Sequence, residues 1–116
     1  MSEIPDPVVV LSTLPDAEEA AAIARVLVEE RLAACVNLVP GVRSIYRFEG
    51  PTGATMQDER EVLAIIKTTR ERYADLAQRL VELHPYDVPE VLAVPLLGGH
   101  LDYIEWIAAS VARSSS

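Results

Sequence analysis

The 116-residue sequence contains a single cysteine, Cys35. One thiol cannot form an intramolecular disulfide, which excludes the class of small secreted scaffolds held together by disulfides. The first ten residues, MSEIPDPVVV, have neither the basic nor the apolar region of a signal peptide. No apolar run approaches the ~18 residues that a membrane span requires. We therefore expect a cytoplasmic protein that does not bind membranes.

Basic residues are scarce, with 10 Lys and Arg against 18 Asp and Glu and a net charge of −8. Binding to the phosphates of nucleic acids requires clustered basic side chains, so we expect no nucleic-acid partner. An acidic surface is compatible with cations as partners. Half of the residues are apolar, which is ordinary for a compact fold. We expect one domain over residues 1–116, with frayed ends at about 1–6 and 113–116.

Signatures of catalysis are also missing. The sequence has no glycine-rich phosphate loop, no paired cysteines, no His-Glu-x-x-His motif and no nucleophile elbow. Ser12, at the end of a predicted strand, could act as a nucleophile only beside a base, and the sequence pattern supplies none. We interpret Gly98–Gly99 as turn chemistry before a helix. We expect that the protein is not an enzyme.

The periodicity of apolar residues predicts four strands and three helices. The predicted strands cover Pro7–Thr13, Ala34–Gly50, about Glu59–Thr68 and Glu90–Leu97. Helices are predicted between the first and second strands, between the third and fourth, and at the end of the chain. This βαββαβ order with one additional C-terminal helix predicts an α+β, ferredoxin-like fold: an antiparallel sheet with helices on one face.

Capping signals place the ends of the predicted helices. Asp16 followed by Glu19, and Thr68 followed by Glu71, resemble capping boxes at the two helix starts. The apolar spacing carries the first helix to about Leu32. The second helix ends at His84, because Pro85 cannot continue it.

The second predicted strand is unusually long and carries an internal break. Pro40 and Gly41 predict a bulge that bends the strand. The segment Gly50–Gln57 has turn composition and predicts an exposed hairpin loop before the third strand. The projecting end of this hairpin would leave an unpaired edge, which another subunit could cover. In the fourth strand, Pro95 favours an edge position.

The segment HPYDVPEV, residues 84–91, combines an imidazole and two carboxylates with two prolines. The prolines fix the backbone, so the segment can be a stiff connector between helix and strand. It can equally be a rigid mount for His84 and Glu90 as metal ligands. Imidazole and carboxylate bind Cu²⁺, Zn²⁺ and Ni²⁺, but two ligands from one loop do not form a closed site. The residues leave both interpretations open.

Three further residues have two interpretations each. Cys35 lies among apolar neighbours, so we expect a buried and slowly reacting thiol, although a functional thiol is the alternative. Lys67 is either a strand-end lysine whose stem lies along the sheet or a partner for an anion. Trp106 is either a packing anchor or a contact at a ligand or subunit interface.

The segments VVVLSTLPD, LAACVNLVPGVRSIYRFEG, EVLAIIKTT, HPYDVPE and DYIEWI occur in this order between about Val8 and Val111. Together they closely resemble the CutA family of divalent-cation tolerance proteins. The resemblance implies a ferredoxin-like subunit, similar in architecture to PII signalling proteins and assembled as a homotrimer. It also implies a cytoplasmic location, a link to copper and other divalent cations, and no agreed enzymatic activity.

By this resemblance, His84 and Glu90 match the family's candidate metal ligands. A third candidate in some members is a cysteine at the position of Ser12, whose absence here removes the soft ligand. Cys35 is a weaker candidate. We therefore expect Cu²⁺ or Zn²⁺ to bind loosely and not as a tightly held cofactor. For the cleft between subunits, the residues expected to form the border are Glu61, Lys67, Tyr86 and Trp106.

The sequence departs from the family pattern at two places: Arg47–Phe48 replaces an aromatic pair, and Gly50–Gln57 predicts a longer loop than expected.

A second function also stays open, a PII-like signalling module whose cleft binds a small metabolite or nucleotide. Lys67, Glu61 and Arg47 would then provide the polar contacts. A hydrolase or lyase with His84 as base ranks last, because nothing supplies a nucleophile.

Overall fold

A computed structural model of the protein describes residues 5–113. The elements, in chain order, are β1 (Pro7–Leu14), α1 (Ala17–Glu29), β2 (Cys35–Gly50), β3 (Gly53–Thr69), α2 (Arg70–Leu83), β4 (Leu92–Pro95) and α3 (Leu101–Val111). Within this range no helix combines the length and the apolar character needed to cross a membrane.

The four strands form one antiparallel sheet in the order β2-β3-β1-β4. Alternate residues of β1 and β3, such as Val10 and Ile66, pack against the apolar faces of α1 and α2. The helices contribute Ile23 and Leu27 from α1 and Leu76 and Leu80 from α2 to this core, among others. The predicted α+β, ferredoxin-like fold is confirmed.

The predicted break at Pro40–Gly41 is a bulge, and it coincides with the end of β1. Val39 pairs with Leu63 and Val42 with Glu61, so the two intervening residues together oppose Val62. Gly41 has φ +75°, a conformation that favours glycine. Val62 is also the first residue along β3 that pairs with β1. Residues 53–61 of β3 therefore have a paired strand on one side only, over about 30 Å.

The prediction of an exposed loop at Gly50–Gln57 was wrong. The β2–β3 ladder continues to the pair Gly50↔Gly53, so only Pro51 and Thr52 form the turn. Gly53 has φ +112°, which a residue with a side chain rarely adopts. Both faces of this end of the hairpin are exposed, so its polar and small residues carry no burial pattern that would mark a strand.

The first helix begins as predicted: Glu19 donates its backbone N–H to Asp16 Oδ1 over 2.8 Å. It ends at Glu29 and not near Leu32. Arg31 takes a left-handed conformation with φ +60°, and the N–H groups of Leu32 and Ala33 both donate to the carbonyl of Leu27. This closure satisfies carbonyls at the helix end and turns the chain towards β2.

The predicted Thr68–Glu71 capping box is absent, because the N-cap of α2 is Thr69 and its side chain makes no capping hydrogen bond. Thr68 is fully buried and its hydroxyl donates to the carbonyl of Leu32 over 2.7 Å. This hydrogen bond therefore joins β3 to the segment that connects α1 with β2. The helix ends before Pro85 as predicted, with His84 as its C-cap.

Of the residues expected to fray, Asp6 and Arg113 lie within the described part of the chain and make contacts there. The carbonyl of Asp6 accepts from the N–H of Arg70, and its carboxylate binds the Arg70 guanidinium. Arg113 pairs with Glu71 at 3.3 Å and with Asp75 at 3.1 Å. The remaining residues of the predicted tails, 1–4 and 114–116, lie outside the described residues.

The last two elements lie at the sheet margin. The fourth strand is shorter than the predicted Glu90–Leu97 and pairs only with β1, so it is an edge strand, as Pro95 predicts. Helix α3 buries Ile107 and Val111 against Ala34, at the end of the sheet where β2 begins. Much of the sheet face opposite α1 and α2 remains uncovered, including Leu92 and Val94.

Two fully buried hydroxyls generate a stability prediction. Ser12 Oγ has no hydrogen-bond partner among residues 5–113, whereas Thr68 Oγ1 is bonded to Leu32. Ser12→Ala should leave the free energy of unfolding within ~0.5 kcal/mol of the wild type or above it, because no hydrogen bond is lost. Thr68→Val should lower it by ~1–2 kcal/mol, because a buried carbonyl loses its donor. Urea unfolding of both variants would check this, and equal losses would contradict it.

Candidate functional site

A cleft lies where the loop between α2 and β4 crosses the end of β1, beside residues 53–61 of β3, which have a paired strand on one side only. Its volume is about 610 Å³. Alternate residues of β2 and β3 form one wall and the loop forms the other. The lining residues are Thr13, Ser44, Tyr46, Phe48, Glu59, Glu61, Tyr86, Asp87, Val88 and Glu90.

His84 lies beneath this cleft and is only 7% exposed. Its Nε2 is 2.8 Å from the carbonyl oxygen of Thr13, and its Nδ1 is 3.1 Å from the backbone nitrogen of Tyr86. A carbonyl only accepts and a backbone N–H only donates, so we assign the neutral imidazole with its proton on Nε2. Both ring nitrogens hold the loop in place, and a metal could reach Nδ1 only by displacing the Tyr86 amide.

Tyr86 joins the loop to the sheet. Its hydroxyl donates to Glu61 Oε2 over 2.7 Å, and Glu61 is only 7% exposed. Burial, together with the hydrogen bond to Glu61, raises the pKa of Tyr86 well above its usual range. A parallel bond joins Tyr46 to Glu59 Oε2 at 3.1 Å. The two phenols thus orient two carboxylates along the same wall.

The cleft is acidic without a counter-charge. It is lined by Glu59, Glu61, Asp87 and Glu90, and no Lys or Arg lines it. None of these carboxylates has an ion-pair partner within 4 Å in residues 5–113. Residues 5–113 contain no group of three or more His, Cys, Asp or Glu side chains arranged to hold a metal ion. Such a donor set fits a hydrated, loosely held divalent cation and not a closed, dry site.

The structure brings together three of the residues singled out in the sequence, Glu61, Tyr86 and Glu90. Glu59 and Asp87 were missed. For Glu59 a signal was available, because side chains two residues apart on a strand share a face and Glu61 had been selected. The loop was singled out in the sequence, but its position against Glu59 and Glu61 could not be predicted, because that position depends on where β1 ends.

The other predicted cleft residues lie elsewhere in the single chain. Lys67 is six residues from Glu61 along β3, about 20 Å away. Its ammonium is 3.3 Å from the hydroxyl of Tyr103 and 5.5 Å from the centre of that ring. The Tyr103 ring stacks on Trp106 with centroids 5.4 Å apart. These residues form an exposed aromatic patch at the opposite end of the sheet.

The prediction that Cys35 is buried was wrong, because its thiol has intermediate exposure. Cys35 pairs directly with Lys67, and the β3 neighbours of Lys67, Ile66 and Thr68, point into the core. Directly paired residues share a face, so Cys35 lies on the face opposite α1 and α2. The same register puts it far from His84 and Glu90.

The Tyr86–Glu61 bond predicts a change in stability at alkaline pH. The folded-state pKa of Tyr86 is raised, so the stability from its neutral phenol is fully present below the unfolded value near ~10 and is lost as pH rises above it. The melting temperature should fall between pH 9 and 11, and fall less in Tyr86→Phe. Tyr73→Phe, outside the cleft, is the control, and its melting temperature should fall as much as that of the wild type. Identical losses in all three proteins would contradict this.

Comparison with known proteins gives consistent matches along the chain. The family model described as "CutA1 divalent ion tolerance protein" matches residues 8–110. A Thermus thermophilus protein named "Divalent-cation tolerance protein CutA" is 48% identical over 99 residues, covering 85% of this chain and 92% of its own. A protein of the same name from Pectobacterium atrosepticum is 43% identical over 113 residues, covering 96% and 99%.

Solved structures agree with the fold. The crystal structure of CutA1 from Oryza sativa superimposes with a TM-score of 0.89 at 41% identity, covering 97% of this chain and all of that one. The family model spans most of the described sheet and all of the cleft-lining residues from Thr13 to Glu90. The chain therefore belongs to the CutA1 family of divalent ion tolerance proteins.

Proposed function

We propose that this protein acts in tolerance of divalent cations by binding them weakly, without catalysing a reaction, and that Cu²⁺ or Zn²⁺ is the ion. The observation that carries the proposal is the cleft with four carboxylates and no lining cation. An uncompensated acidic cleft attracts cations, and open carboxylate sites bind them with water still attached. We further propose a cytoplasmic location.

Within the cleft, we propose Glu90 and Glu61 as the primary contacts. Glu90 is exposed on the loop, and Glu61 is held in one orientation by Tyr86. His84 joins them only when its Nδ1 releases the Tyr86 amide. Coordination therefore costs one backbone hydrogen bond, about 1 kcal/mol, which supports loose binding. Absence of catalysis is supported by Ser12, whose buried hydroxyl has no hydrogen-bond partner among residues 5–113 that could act as its base.

We also propose that the functional unit is a homotrimer. The support is the exposed edge of β3 over residues 53–61 together with the apolar residues exposed on β2, β3 and β4, such as Ile45, Met56 and Leu92. An edge of this length with apolar neighbours aggregates unless something covers it. Association between copies of the chain would cover both features in a closed ring.

A signalling function with a metabolite in the cleft has weaker support. Its three predicted contacts do not converge in one chain: Lys67 is about 20 Å from Glu61 along β3, and Arg47 points to the face of the hairpin opposite Glu61. We therefore rank it second. Nucleotides belong in the same binding assay as the metals.

Calorimetric titration of Cu²⁺ and Zn²⁺ tests the cation site. We expect a dissociation constant in the micromolar range or weaker, and a loss of affinity of at least ~5-fold in Glu90→Gln, because a carboxylate ligand contributes charge as well as an oxygen. Glu29→Gln, on the exposed end of α1, is the matched control and should bind like the wild type. Unchanged affinity in Glu90→Gln would exclude this site. Unchanged affinity in His84→Ala would leave His84 as a connector only.

Light scattering tests the assembly. The expected mass is three times the 12.7 kDa of one chain, about 38 kDa, over the whole concentration range measured. A mass of one chain that does not change with concentration would contradict the trimer.

A further inference from the structure

A second cavity lies at the start of β1, at the other end of that strand from the cleft. Its volume is about 590 Å³. Residues 70–72 at the start of α2 line one side, and Val111 and Arg113, at and after the end of α3, line another. The cavity shares no lining residue with the cleft, so the proposed cation site leaves it without a role.

The first turn of α2 brings backbone N–H groups to this cavity. The N–H groups that begin a helix have no partner within the helix itself. Here the N–H of Arg70 donates to the carbonyl of Asp6 over 2.9 Å. The N-cap, Thr69, makes no side-chain capping bond, so no cap occupies the N–H groups of Glu71 and Arg72. Such a helix start favours an anion, because its N–H groups and the helix dipole both present positive charge.

Thr69 is an independent indication that the cavity takes a ligand. The residue is only 9% exposed and lines the cavity. It lies two positions beyond Lys67 on β3, so it shares the sheet face on which Lys67 meets Tyr103 of α3. Its hydroxyl has no hydrogen-bond partner in the part of the chain that the structure describes. A buried hydroxyl without a partner is costly, and a ligand oxygen in the cavity would supply that partner.

Two exposed arginines of the cavity have donors to spare. Arg70 binds the carboxylate of Asp6 through Nε at 2.6 Å, and Arg113 binds Glu71 through Nε at 3.3 Å. The Arg70 and Arg113 side chains are 66% and 53% exposed, so these ion pairs are weak and can be shared with a ligand. A guanidinium has five N–H donors in a fork that matches the oxygens of a phosphate.

Arg72 adds a buried positive charge next to the same cavity. Its side chain is 12% exposed and binds Asp75 at 2.9 Å. Its Nε is buried and has no hydrogen-bond partner among residues 5–113. The cavity is thus lined by three arginines and only two carboxylates, Asp6 and Glu71, in a chain whose net charge is −8. The local excess of positive charge favours an anion here and nowhere in the cleft.

We propose that this cavity binds the phosphate group of a small molecule. The N–H groups of Glu71 and Arg72 and the hydroxyl of Thr69 donate to the phosphate oxygens, and the guanidinium groups of Arg70 and Arg113 balance its charge. Donors from several directions suit a tetrahedral group with several acceptor oxygens better than a planar carboxylate. A volume of about 590 Å³ leaves room for the rest of a small ligand. The site goes beyond the proposed function and does not depend on it.

An NMR titration of ¹⁵N-labelled protein with inorganic phosphate tests the site, with ionic strength held constant by sodium chloride. The amide signals of Glu71 and Arg72 should shift and saturate in the millimolar range or below, while those of Glu59 and Glu61 in the cleft stay in place. Arg113→Gln should weaken binding at least ~5-fold, because a charged donor is lost. Arg25→Gln makes the same change in charge on the exposed side of α1 and is the matched control.

Thr69→Val separates a built site from general attraction, because it keeps every charge and nearly the same shape. It should weaken phosphate binding at least ~3-fold, since one hydrogen bond is lost, and unchanged dispersion of the spectrum confirms that the variant is folded. Acetate at the same ionic strength should bind at least ~5-fold more weakly than phosphate. Shifts that do not saturate, equal affinities in Arg113→Gln and Arg25→Gln, full affinity in Thr69→Val, or equal binding of acetate would each overturn the phosphate site. None of these results would change the Cu²⁺ titration of the cleft.

Discussion

The length of β1 sets the form of the rest of the molecule. It ends at Leu14, whose partner Val62 lies near the middle of a β3 strand that is twice as long. The β3 residues that precede Val62 in the chain have no β1 partner, and opposite Val62 the Pro40–Gly41 bulge bends β2. A bulge increases local twist and redirects a strand. The hairpin formed by residues 42–50 and 53–61 therefore leaves the body of the sheet at the point where β1 ends.

The cleft is a consequence of this geometry. Because β1 stops, the loop after α2 can cross its end and reach β3, and His84 fixes the loop to the carbonyl of Thr13. Tyr86 then closes the gap by binding Glu61. The segment that resembled a metal mount in the sequence thus has two tasks. Its imidazole holds the backbone, while its exposed carboxylate, Glu90, faces the cleft.

The sequence predicted those features that depend on local chemistry. Asp16 caps its helix, Pro40–Gly41 forms the bulge and Pro85 ends α2, because each acts through its own backbone or its near neighbours. Features that depend on tertiary position were missed. Thr68 and Thr69 are both plausible caps, and only the sheet register decides which hydroxyl points inward. Cys35 has apolar neighbours, but its exposure depends on the sheet register, which places it on the face opposite α1 and α2.

The central claim is that the β3 edge over residues 53–61 is covered by another copy of the chain. Hydrogen–deuterium exchange resolved to single amides tests it most directly, using the alternate N–H groups of this stretch that point away from β2. If a neighbouring copy covers the edge, these amides exchange at least ~100-fold more slowly than unprotected ones, because opening them requires dissociation or unfolding. Exchange at the unprotected rate, with β1 amides protected in the same sample, would contradict the account.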